Sequence, residues 1–277
     1  MSTKKFSKVF TFYIPLALIL AFILLPYIWS VITSLKPTVE IMYADKFHVL
    51  PYKATLEHYI YLLSEKSFLT GMTNSAIVAL STSLITLVVS LTAAYSCSRF
   101  NFRGKKYVLI SFLMIHMFPP VLLLMPLFTI MKNLHLLNTY FSLIMAYCTF
   151  SIPFSIWLLT GYLNDIPKEL EEAAIVDGCN RFTAFIKIIF PLAVPGVIAA
   201  LVYIFIYAWN EFLFATMFTG EATRTIPVTI YSFIGEHVID WGLLTASGII
   251  TGLPIIILFM FIQKNLIAGL TSGAVKG

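Results

Sequence analysis

Few residues in this 277-residue chain are of a type that does chemistry. Glu211 and His116 are the ionisable side chains that fall inside long apolar runs, where charge is costly and marks a functional position by default. Trp209 and Asn210 precede Glu211, so an aromatic face, an amide and a carboxylate share one short stretch. That set suits hydrogen bonding and stacking against a polyhydroxylated solute lining a pathway; pairing of Glu211 with another chain to hold a gate suits it as well. His116 reads more simply as a buried histidine with a partner, and Tyr203, Phe205 and Tyr207 as packing. There is no G-x-x-x-x-G-K-[ST] loop to cradle nucleotide phosphates. Zinc-type histidine pairs and nucleophile triads are lacking too, so no catalytic or metal-ligating residue is assigned and the chain is not read as an enzyme. Cys97, Cys148 and Cys179 are odd in number and lie in apolar or cytosolic stretches, which reads as free thiols.

The elements that position these residues must be membrane helices. The chain is 59% hydrophobic and 11% charged, with a mean hydropathy of +0.91. A soluble domain carries about a quarter charged residues, so the apolar excess must face lipid. A bilayer core needs about 20 helical residues, and six stretches qualify: Phe12–Ile32, Ser75–Ala94, Tyr107–Met131, Phe141–Leu163, Leu192–Phe214 and Leu243–Ile262. The first follows Lys4, Lys5 and Lys8 but is too long for a signal peptide and lacks a small-residue cleavage site, so it is read as an uncleaved span. Pro26, Pro119, Pro120, Pro126, Pro153 and Pro254 interrupt the spans, which implies a bundle whose neighbours satisfy the freed backbone groups. Twelve of the 18 basic residues fall in the segments that are cytosolic when the N-terminus is inside, so both termini are expected in the cytosol. The net charge of +5 is scattered at span ends, which fits membrane topology rather than nucleic acid. The expectation is one all-α membrane domain over residues 1–277, with core helices in 74–262, a cytosolic elbow at 164–191 and a tail at 263–277.

The elbow is the most informative segment. Asp165 can cap a helix, Pro167 suits its first turn, and Glu169 to Glu172 favour its positive end. Ile166, Leu170, Ala173 and Ala174 form a narrow apolar stripe at helical spacing. Gly178 permits a sharp turn, and a second helix begins over Phe182–Phe190. Such an elbow reads either as a docking element, with small Ala173 and Ala174 letting a partner approach closely, or as a loop resting on the membrane. The outer segment carries a short helix-like run, Thr55–Leu63, with Thr55 as its cap.

Glu172-Ala173-Ala174, then Gly178, Ile188 and Phe190-Pro191, resembles the loop signature of ABC importer permeases, with Phe190 where the family usually has Leu. The resemblance to maltose-type carbohydrate-uptake permeases extends over nearly the whole chain. It rests also on Pro26 to Trp29, Ser34-Leu35-Lys36, Ser98 to Gly104, Leu137-Asn138-Thr139, Pro153-Phe154 with Trp157, Gly161-Tyr162, Trp209 to Phe212, Thr225 to Val228 and the tail from Asn265. The tail is similar to that of the smaller of the two maltose-type subunits. The resemblance implies a type I ABC importer permease fold with six spans in a bacterial or archaeal cytoplasmic membrane. It also implies a sister permease, two ATPase subunits that bind ATP and magnesium, and an external sugar-binding protein, with no cofactor on this chain. Glu171, Glu172, Ala173, Ala174, Asp177 and Gly178 are then the residues that couple to the ATPases. Thr271, Ser272, Gly273 and Lys276 are tail contacts to them, unless the Gly-rich end merely frays. Gly220, Glu221 and Thr223 contact the binding protein, unless Thr219–Pro227 is a plain connector.

The expected cargo is a sugar, probed as an oligosaccharide; the absence of buried Arg or Lys in the spans argues against an anionic one. A permease for another solute remains the alternative. An ion-coupled carrier would need acidic or histidine relays at midplane, and Glu211 and His116 are poorly placed for that.

Overall fold

A computed structural model describes residues 9–43, 48–234 and 239–274. The described chain is helical, and its extended pairing amounts to an isolated antiparallel bridge between Ile234 and Ile239. The helices are α1 (Ile14–Ser34), α2 (Thr38–Tyr43), α3 (Glu57–Ser64), α4 (Lys66–Arg99), α5 (Lys105–Met117), α6 (Pro120–Asn133), α7 (Tyr140–Asp165), α8 (Glu169–Val176), α9 (Arg181–Ala184), α10 (Phe190–Asn210), α11 (Leu213–Phe218), α12 (Ile226–Tyr231) and α13 (Trp241–Ala274). Five runs are long and apolar enough to cross a membrane, and α5 with α6 makes a sixth as a broken span. All three cysteines are free thiols.

That broken span departs from the expected continuous helix over Tyr107–Met131. The chain bends by 91° between α5 and α6. Pro119 takes an extended ψ of 121° and Pro120 opens α6. Two successive prolines lack N–H groups and force the preceding residue out of the helical region, so α5 must end at Met117. The fifth span is also shifted: one helical run extends over Arg181–Asn210, passing through a π-turn at Phe185–Ile189, and it stops before Glu211 rather than at Phe214.

The chain divides into two compact units. The first comprises Met1–Leu69 and Ile230–Leu253. Here Thr38 N–H donates to Glu57 Oε1 at 2.9 Å, and Ser34 Oγ lies 2.7 Å from Tyr59 Oη. Gly242 lies flat against the His58 ring, where a Cβ would overlap it. Thr55 accepts from Glu57 N–H at 3.2 Å but is not the cap of α3, which starts after Leu56.

The second unit comprises Thr70–Thr229 and Pro254–Gly277. Its core is formed by Leu91 and Ala94 of α4, Leu159 and Leu163 of α7, Ile189, and Ala193, Val197 and Ala200 of α10. The small residues let the helices approach closely, as membrane bundles require. Gly196 shows how closely: the Tyr162 ring of α7 occupies the space a Cβ would need. Buried hydroxyls add polar ties, with Thr86 Oγ1 3.0 Å from Ser151 Oγ. At 34 residues α4 is about 50 Å long at 1.5 Å per residue, well beyond a bilayer core of about 30 Å. Part of α4 therefore stands clear of the hydrocarbon.

Candidate functional site: the elbow, the gate stretch and the outer turn

The elbow forms two short helices about a glycine hinge. Asp165 is the last residue of α7 rather than a cap, and α8 starts at Glu169 behind Lys168, which makes no side-chain cap. Gly178 adopts φ +92°, the left-handed turn that its lack of a Cβ permits. The second helix starts at Arg181, one residue before Phe182, capped by Asn180, whose side chain accepts from Thr183 N–H at 2.8 Å.

The apolar stripe expected from spacing is split between two faces of α8. Glu171 and Ala174 are its buried residues, with Glu171 6% exposed, whereas Leu170 and Ala173 face outward. The cause is a distant partner. Arg99 Nε lies 2.9 Å from Glu171 Oε2, and the Tyr95 hydroxyl donates to Glu171 Oε1. The Arg99–Glu171 attraction is ionic rather than an aligned hydrogen bond, since neither atom has an aligned partner. Arg99 Nη1 reaches the carbonyls of Leu163 and Ile166 at 3.1 and 3.2 Å, satisfying acceptors at the C-terminal end of α7. Arg181 stacks its guanidinium 5.1 Å from the ring centroid of Phe100, the residue that follows α4, a second tie to the elbow.

Most of the remaining residues of α8 and its following turn are presented outward. Glu172, Ala173, Asp177 and Gly178 are exposed, together with Leu170, Ile175, Phe182 and Val176, the last at 86%. An exposed apolar group rimmed by carboxylates is the form of a protein-docking or membrane-contacting surface.

In the gate stretch, Trp209 is buried and stacks on Phe205 at 5.5 Å, while Asn210 is exposed and bonds back to Ile206 O at 2.8 Å. Glu211 sits in the break between α10 and α11. Its carboxylate accepts from Phe214 N–H at 2.9 Å and Ala215 N–H at 3.1 Å, so it caps α11. His116 lies on Phe154, ring centroids 4.7 Å apart, with Nδ1 3.4 Å from Phe150 O, close to the break that ends α5. Phe154 continues to Tyr203 at 4.4 Å, and Tyr203 to Tyr207 at 6.4 Å, a lane of rings along α7 and α10.

Gly220, Glu221 and Thr223 form a turn that is pinned from below. Asn74 Nδ2 donates to the carbonyls of Ala222 and Arg224 at 3.0 and 2.8 Å, and Ser75 Oγ accepts from Ile226 N–H at 2.8 Å. Gly220 N–H donates to Thr223 Oγ1 at 3.2 Å. Glu221 remains exposed. Thr271, Ser272 and Gly273 continue α13 as helix, and Lys276 lies outside the described residues.

Sequence reasoning missed Arg99, Tyr95 and Asn74. Arg99 counted as a topology charge and as part of the Ser98 to Gly104 stretch, without a partner, and Asn74 had no signal beyond its place at the head of a span. The spacing of Tyr95 and Arg99, one turn apart on one face of α4, was the available hint.

Comparison with known proteins follows the same lines. Residues 86–272 match the family model described as binding-protein-dependent transport system inner membrane component. The chain is 37% identical to the trehalose/maltose transport system permease protein of Thermococcus litoralis, over 94% of this chain and 95% of that protein. It is also 37% identical to the sulfoquinovosyl glycerol transport system permease protein of Agrobacterium fabrum, over 95% and 94% respectively. Among solved structures, a bacterial ABC transporter that imports the acidic polysaccharide alginate superposes with a TM-score of 0.81. It shares 21% identity, and the match covers 95% of this chain and 98% of that one. The apolar helices, the glycine-hinged elbow and these matches together give the assignment: the chain belongs to the family of binding-protein-dependent transport system inner membrane components.

Proposed function

We propose that this chain is the smaller permease subunit of an ATP-driven importer for sugars, moving an oligosaccharide by alternating access. The observation that carries the coupling half is the elbow: its inward side is anchored to α4 and α7 while Leu170, Glu172, Val176, Asp177 and Phe182 are turned outward. Two ATPase subunits, holding ATP and magnesium, dock there from the cytosol. A sister permease completes the pathway, and an external sugar-binding protein delivers cargo near the turn at Gly220, Glu221 and Thr223. Both chain ends then lie in the cytosol, where the end of α13 and the tail with Lys276 meet the ATPases. Trp209, Asn210 and Glu211 line the gate, Asn210 facing outward from the helix and Glu211 fixing the break that lets α11 turn. The sugar class comes from the relatives, which are named as transporting trehalose/maltose and sulfoquinovosyl glycerol.

An acidic saccharide is the second reading. The sulfoquinovosyl glycerol permease, 37% identical, points to it. Against it, the buried Arg99 is already neutralised by Glu171 at the end of α4.

Uptake of labelled neutral and acidic oligosaccharides by cells with and without the gene tests both. Gene-dependent uptake that stops on ATP depletion supports an importer and names the cargo. Uptake that survives ATP loss but fails without an ion gradient overturns it.

A further inference from the structure

We propose that Arg99 and Glu171 form a transmission joint between the elbow and the membrane bundle, and are positioning residues for coupling rather than contacts to the ATPase. The inference rests on the permease reading above and deepens it.

The helix that would receive the push is only eight residues long and hangs between two short connectors. Its apolar grip on the bundle is small, because Ala174 is the one buried apolar side chain it carries. A force on Val176 or Phe182 would roll such a helix about its axis unless something fixed its inward face. Glu171 does this from the centre of α8, held at one oxygen by Arg99 and at the other by Tyr95. The two holders stand one turn apart on α4, so the carboxylate is fixed in direction as well as distance. Arg99 then spends its other arm on the Leu163 and Ile166 carbonyls that end α7. One guanidinium thus ties three helices at a point where its own side chain is 4% exposed and that of Glu171 is 8% exposed. Buried ion pairs add little net stability over apolar packing, but they are specific in geometry. A pair in this place fits the transfer of motion better than the holding together of the fold.

The test uses the full transporter in membrane vesicles, with Cys97, Cys148 and Cys179 replaced by serine and Met217→Cys, exposed on α11 and outside the gate residues, as a reporter thiol. The readouts are ATP hydrolysis and the ATP-driven change in the rate of thiol labelling, neither of which depends on knowing the cargo. The parent should change its labelling rate about fivefold with ATP. The double variant R99Q/E171Q, which removes both charges together, should bring this below about twofold while hydrolysis stays within about twofold of the parent. Tyr95→Phe, which removes one hydrogen bond to the same carboxylate, should fall between. If R99Q/E171Q does not assemble, Tyr95→Phe decides the matter alone. An ATP response per assembled complex equal to the parent's overturns the joint and leaves the permease reading standing. A parent that hydrolyses ATP without any labelling change overturns that reading, and the joint with it.

Discussion

Tyr140 donates its hydroxyl to Asn74 Oδ1 at 2.8 Å, and so turns the Asn74 amide toward the outer turn, where it meets the carbonyls of Ala222 and Arg224. Asn74 is 2% exposed and uses both of its donors and its acceptor. Asn74→Ala strands two carbonyls and a hydroxyl, and should cost about 2–3 kcal/mol, whereas Tyr140→Phe should cost about 1 kcal/mol. Thermal unfolding of the purified complex checks the order. Protease cleavage at Arg224 should rise in Asn74→Ala and stay near wild type in Tyr140→Phe.

The spans were legible because apolar run length and proline position are local properties. The double proline announced an interruption, but the 91° angle depends on what α5 and α6 pack against, which run length does not encode. In the elbow, Gly178 was readable from its type alone, since a sharp turn after a helix calls for a residue free to take positive φ. The facing of α8 was not readable. Spacing picked out Leu170, Ala173 and Ala174 as one stripe but carried no sign of which way Glu171 turns, because its decisive partner comes from another helix far away in sequence. Glu211 reads as a pathway or gate group because it is an ionisable residue inside an apolar run; its bonds to Phe214 and Ala215 show that a carboxylate there also starts the next helix.

Gly196 should resist any side chain. A Cβ there overlaps the Tyr162 ring, so Gly196→Ala should destabilise the α7–α10 contact by about 1–3 kcal/mol, the range for overpacking. Adding Tyr162→Ala should recover part of the loss, because it empties the occupied space. A double-mutant comparison of melting temperatures reads this directly.

Gly178 makes the opposite kind of prediction. Nothing lies within 4 Å of the place a Cβ would take, so the obstacle is the backbone at φ +92° and not space. Gly178→Asn should therefore keep most transport, and Gly178→Val should lose it at equal membrane level, with a backbone cost of about 1–2 kcal/mol. Equal activity in the two variants would mean that the turn is not held in this conformation during transport.

Glu211→Ala removes the acceptor for two backbone N–H groups and should destabilise the complex by about 1–2 kcal/mol. Glu211→Gln keeps one acceptor oxygen and should lose roughly half as much. If Glu211→Gln melts near wild type yet transports poorly, the carboxylate charge serves the gate in addition to capping α11. Parallel loss of stability and transport would confine it to the cap.

The central claim is that the outward side of α8 is where an ATPase subunit docks. A photo-reactive amino acid placed at Val176, which is 86% exposed, tests it in intact membranes. The same group at Leu122 of α6, exposed on a span at 59%, is the control. The account predicts that illumination links Val176 to a chain that mass spectrometry identifies as an ATP-binding subunit, while Leu122 yields no such product. Linkage of Val176 to lipid alone, in a complex that still transports, would contradict it.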